Sequence, residues 1–152
     1  MRTPATLTRQ RGLAVVEAAI TLPFLLFVMF AATEFTFAFV QHTTLTKAAR
    51  DAARYVAEEA IDGTLTMNLT TAIQDDARRL LVYGNKAGTG TPLVSGLDVN
   101  DVSVTDVGSE NIEVSVTYPY TGILGSVLPG FGYGSDISLL FSMSATVTMR
   151  AL

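Results

Sequence analysis

The stretch RQRGLAVVEAAITLPFLLFVMFAAT, residues 9–33, decides how the rest of the chain is read. From Leu13 to Thr33 its only charge is Glu17, and the run is long enough to cross a bilayer as a helix. Pro23 lies inside it, which membrane helices tolerate. A carboxylate at mid-membrane costs about 2.5–3.5 kcal/mol on insertion scales, so Glu17 demands a reason.

Charge gives the run a direction. The 152-residue chain carries a net charge of −4, unevenly spread. Arg2, Arg9 and Arg11 precede Gly12 with no acid among them, leaving seven of the ten basic residues against all fourteen acidic ones after that point. An acidic body without a clustered basic surface argues against nucleic acid as a partner. A basic head before an apolar run keeps the N-terminus cytoplasmic and exports the remainder. Cysteine is absent, which removes disulfides, thiolate chemistry and cysteine-held metals.

Beyond the apolar run the helical pattern continues. TLTKAARDAARYVAEEA, residues 44–60, has neither glycine nor proline. Leu45, Ala48, Ala49, Ala52, Ala53 and Val56 form one small-to-apolar stripe. Arg54 stands at helical spacing from Asp51 and Glu58, and Asp62-Gly63 reads as the stop. A helix from Leu13 to Ala60 would be about 70 Å long, of which a bilayer core occupies about 30 Å. The remainder is expected to be an exported stalk. A second amphipathic helix is expected from Thr66 to Tyr83, burying Leu69, Ile73, Ala77, Leu80 and Leu81, with Asp75, Asp76, Arg78 and Arg79 as its wet face.

After the loop GNKAGTGTP the period becomes two. LDVNDVSVT, NIEVSVTYPY and ISLLFSMSATVTMRAL read as strands, the first two joined by the turn DVGSE. TGILGSVLPGFGYGSD, residues 121–136, reads as a long, partly apolar loop. The expectation is an α+β fold: a long N-terminal transmembrane and stalk helix, a second amphipathic helix, and a small antiparallel sheet of about three strands. Residues 1–12 would be a basic cytoplasmic leader, 13–34 the span, 35–62 the stalk and 63–152 a small extracytoplasmic domain.

Little here supports catalysis or metal binding. His42 is the only histidine, so no histidine-based zinc site or catalytic triad is available. Asp98, Asn100, Asp101 and Asp106 lack the glycine and final glutamate of a calcium loop. The glycine loop lacks the lysine a phosphate cradle needs. Phe35, Phe37 and Phe39 fit an interfacial aromatic belt, and Glu34-Phe35 marks the far end of the span. No catalytic residue, cofactor or metal is assigned.

Gly12 and Glu17 carry more. A basic leader ends in glycine, an apolar helix begins at once, and an acid stands fifth after the glycine. That is the layout of a prepilin processing site, with cleavage between Gly12 and Leu13 leaving the helix on the product. The new α-amino group on Leu13 is cationic at neutral pH. In a fibre, Glu17 of one subunit can accept the ammonium of its neighbour, and each charge offsets the desolvation of the other. Pairs of this kind serve register better than they serve net stability. A secretory signal fits less well, because Met29 or Phe30 stands where its cleavage site wants a small residue.

These residues resemble the TadE-like family, minor pilin-like proteins of the tight-adherence (Flp) pilus. The resemblance rests on Gly12, Glu17, Leu22-Pro23, Glu34-Phe35, Ala48-Ala49-Arg50 and Ala53-Arg54-Tyr55, with VTYPY and SATVTMRAL later in the chain. Thr36 and Ala52 depart from it, standing where family members often have glycine. It implies a non-enzymatic assembly role in adherence. The implied partners are a prepilin peptidase, the major Flp-type pilin and other minor pilins, the inner-membrane platform and membrane lipid. The alternative is an uncleaved, membrane-anchored extracytoplasmic binding module.

Overall fold

A computed structural model describes residues 7–61 and 67–151, with side chains from Gly12 onward. Helix α1 (Leu7–Glu59) is continuous for 53 residues, about 80 Å at 1.5 Å per residue. It begins six residues ahead of the Leu13 start expected from sequence, so its first turns extend into the basic leader. Pro23 sits inside it without ending it. Thr33, Thr36, Thr43, Thr44 and Thr46 each donate a hydroxyl to the carbonyl four residues back. Each bond satisfies the hydroxyl within the helix itself. The expected stop at Asp62-Gly63 lies outside the described residues.

Helix α2 (Thr71–Tyr83) starts later than the expected Thr66. Residues 62–66 lie outside the described set, and Met67 bridges back to Ile61 before the helix starts. The Thr70 hydroxyl accepts from the Ile73 amide as N-cap, and Gly84 closes the helix in the left-handed conformation at φ 72°. Ala77, Leu81 and Val82 are its buried residues, while Ile73 and Leu80 are half-covered.

Strands β1 (Val102–Gly108), β2 (Asn111–Pro119) and β5 (Ser142–Arg150) form an antiparallel sheet in the order β1-β2-β5. The expected α+β class with three strands is therefore what the chain adopts. The first strand starts at Val102, because Asp98 caps a short 3-10 turn (Val99–Asp101) ahead of it. Ile112, Val114, Val116 and Tyr118 alternate toward the core. Val114 is paired with Val104 and Val147, and Val116 with Val102 and Ala145, so one apolar face spans all three strands.

Both helices cover that face. Leu45, Ala48, Ala49, Ala52, Ala53 and Val56, the stripe read from sequence, are all buried there, with Ala57 and Ala60. Small side chains let the helix axis lie close to the sheet and α2. From Leu45 onward the segment expected as a stalk is thus the spine of the globular part. Two further short strands, β3 (Val127–Leu128) and β4 (Ile137–Ser138), pair with each other inside the glycine-rich segment. Residues 121–136, expected as a loop, are therefore partly a hairpin.

Candidate functional site

The buried polar groups lie where α1 leaves the sheet. Glu34 and Gln41 stand seven residues apart, on the α1 face that continues into Leu45. Tyr118 and Tyr120 stand two apart, so both side chains point to the same side of the sheet. The Tyr118 hydroxyl donates to the Gln41 Oε1. The Tyr120 hydroxyl donates to Glu34 Oε1 at 2.6 Å, and the Leu124 amide donates to Glu34 Oε2 at 3.3 Å. Glu34 is 4% exposed and Tyr120 3%. Phe141 stacks on Tyr120 at 4.7 Å between centroids, and the Tyr120 amide donates to the Phe141 carbonyl.

A carboxylate with a hydroxyl and an amide aimed at it is satisfied without a counter-cation. Burial, and then the hydrogen bond to Glu34, push the Tyr120 phenol far up, and burial pushes the Tyr118 phenol up. Both therefore remain donors throughout the physiological range. Gly122 is held to glycine by the same group, since a Cβ there would collide with the Glu34 carboxylate. The arrangement clamps α1 to the end of the sheet and to the segment that follows Tyr120.

Sequence reading placed Glu34 only at the end of the span and Tyr120 only at the end of a strand. The signal for their meeting was present: VTYPY places two tyrosines at period two, one of them just past a strand, and Glu34 is the one acid on an otherwise apolar face. Phe35 and Phe39, 75% and 64% exposed, face outward as an aromatic belt would, whereas Phe37 packs against the core.

The processing residues are placed differently. Gly12, Leu13 and Glu17 lie on the uninterrupted first part of α1, all exposed. Nothing lies within 4 Å of where a Gly12 Cβ would stand. Among the described residues no side chain or backbone donor reaches the Glu17 carboxylate. The same first part of α1 is long and apolar enough to cross a membrane, with its most apolar window 0% buried.

Elsewhere the charges serve the fold. Arg78 meets Asp75 at 3.0 Å and Arg79 meets Asp76 at 2.6 Å along α2, beside a cleft of about 470 Å³ lined also by Tyr83 and Asn100. The Arg79 hydrogen bond holds the Asp76 carboxyl below its ordinary range. Arg54 makes no ion pair with Asp51 or Glu58 among the described residues, contrary to what their spacing allows. Asp98 and Asp101 form a capping box, and Asp106 accepts from the Gly108 amide. His42 is exposed on α1. Among the described residues no three metal-ligating side chains gather.

Comparison with known proteins agrees with the resemblance read from the N-terminal residues. Residues 12–54 match the family described as TadE-like protein. The matched segment holds Gly12, Glu17, Glu34-Phe35 and the alanine-arginine run, and it stops short of the sheet. No curated protein and no solved structure matches the chain.

Proposed function

We propose that this chain, TadE-like over residues 12–54 and so associated with the Tad pilus, is a minor pilin-like subunit that acts in fibre assembly and adherence and not as an enzyme. In this reading a prepilin peptidase cuts between Gly12 and Leu13 on the cytoplasmic side. Residues 13–34 hold the product in the inner membrane, and residues 63–152 stand outside with the second half of α1 as their spine. The major pilin, sibling minor pilins and the platform proteins are its partners.

The observation that carries the reading is the isolation of Glu17. A carboxylate with no partner among the described residues, on the exposed face of an apolar helix, is unfavourable in hydrocarbon until a cation meets it. The Leu13 ammonium of a neighbouring processed subunit has the right charge, and on one helix face the two positions are about one turn apart. Glu17→Ala tests this. Membrane insertion should be kept and piliation lost, and normal piliation in that variant would contradict the pairing.

The cleft beside α2 is what favours the second reading, an uncleaved anchored binding module. Its arginines are already paired with Asp75 and Asp76, so it lends that reading little weight.

A further inference from the structure

The segment between β2 and β5 turns back along α1, away from the sheet. Phe131 stacks on Phe30 at 5.9 Å, Tyr133 meets Phe24 edge-on at 6.1 Å, and the Tyr133 hydroxyl donates to the Ile20 carbonyl. Ile20 lies fourteen residues before Glu34, about 21 Å along the helix. The segment therefore runs beside the part of α1 that is apolar enough to span a membrane.

Its composition suits that position. Between Thr121 and Phe141 the only charge is Asp136, and Asp136 accepts from the Gly130 amide at 2.9 Å. Ile123, Val127, Tyr133, Ile137, Leu140 and Phe141 are exposed on it. An apolar surface of this kind on the aqueous side of a bilayer would be unusual for a soluble face. Much of its backbone is also paired internally. Leu124 donates to Glu34, Gly125 to Gly122, Tyr133 to Gly130 and Leu139 to Ser126, and β3 pairs with β4. Non-helical backbone at membrane depth is tolerated where it is buried in protein and not where it faces lipid, so these bonds and the packing on α1 are what such a position requires.

We propose that residues 122–141, unlike the rest of the 63–152 domain, return into the bilayer as a re-entrant hairpin, whose paired backbone packs on α1 and whose apolar side chains contact lipid acyl chains. The proposal rests on residues 13–34 being the membrane span, because the contacts with Ile20, Phe24 and Phe30 transfer the depth of those residues to the hairpin. Glu34, Tyr120 and Gly122 form the collar at which the chain turns down.

The chain has no tryptophan, so single tryptophans report position without background. Full-length Phe131→Trp, Leu140→Trp, Leu25→Trp and Val107→Trp variants would be reconstituted into phosphatidylethanolamine–phosphatidylglycerol vesicles, with and without acyl-chain bromines. Leu140, at 72% exposed, accepts the larger ring without disturbing packing if Phe131→Trp does not fold. Leu25 reports the span and Val107 the sheet edge. The expected result is that the Phe131 and Leu140 reporters, like Leu25, lose most of their emission to brominated lipid and ignore aqueous iodide, while Val107 does the reverse. If Leu25 is quenched by lipid but both hairpin reporters are quenched by iodide, the hairpin lies in water and the proposal fails while the span stands. Hairpin reporters shielded from both quenchers would mean a second copy of the chain covers them, which also overturns the proposal. If Leu25 itself escapes brominated lipid, the span reading fails first.

Discussion

Tyr120 donates its hydroxyl to Glu34 at 2.6 Å across 86 positions of sequence, and Glu34 is 96% removed from solvent by that contact and its neighbours. One end of the bond belongs to an apolar helix and the other to the residue just past the strand that organises the sheet. The two therefore cannot move independently. Any pull on the N-terminal part of α1 is passed to β2 through Glu34–Tyr120 and Gln41–Tyr118.

Removing the donor should be felt. Tyr120→Phe leaves a buried carboxylate with the Leu124 amide alone, and an unsatisfied buried group costs about 1–3 kcal/mol. Thermal unfolding of the full chain in detergent micelles, followed by circular dichroism, should show a Tm lowered by about 4–8 °C per kcal/mol for a domain of this size. An unchanged Tm would mean that solvent or another donor serves Glu34.

Gly122→Ala should act through the same carboxylate. The added Cβ meets Glu34, so overpacking of about 1–3 kcal/mol is expected. Glu34→Ala in the same chain removes the obstruction, and the double variant should be less destabilised than the sum of the singles. Simple additivity would show that the collision is relieved elsewhere.

The alanine seat of α1 tolerates no growth. Ala49, Ala52 and Ala53 are fully buried, so Ala52→Leu should cost about 1–3 kcal/mol by the same Tm assay. Arg50→Ala, at an exposed position of the same helix, should stay within about 0.5 kcal/mol.

Alkaline pH should weaken the fold in a particular window. Tyr55, Tyr118 and Tyr120 have phenols raised above the ordinary value of 10.0, each chiefly by burial. A raised folded-state pKa means that the folded chain keeps protons the unfolded chain releases. The contribution is complete below pH 10.0 and is lost as pH rises through the folded values. Each such phenol lowers stability by about 1.4 kcal/mol per pH unit in that window. Tyrosinate absorbance of the folded chain should show Tyr55, Tyr118 and Tyr120 ionising late, together with unfolding.

Much of this architecture was legible in the residues. The stripe from Leu45 to Val56 and the alternation of Ile112, Val114 and Val116 each have a period that sequence displays directly, and both are buried as read. The N-terminal motif needed no fold to be seen, because its glycine and acid lie on one continuous segment. The Glu34–Tyr120 clamp was less accessible, since it depends on a distant strand meeting the helix at one depth. The hairpin was harder still. Glycine and proline at residues 121–136 signal irregular backbone, and nothing in their spacing says that such a segment folds back along α1. Asp98 was read into a strand for a related reason: its role as a cap depends on a turn only three residues long.

The central claim is that Gly12–Leu13 is a processing site that delivers a free amine to the partner of Glu17. The intact mass and N-terminal sequence of the protein extracted from its native membrane test it most directly. The account predicts a chain that begins at Leu13. A mature chain that begins at Met1 would contradict it, leaving Glu17 as a tolerated acid on an uncleaved anchor.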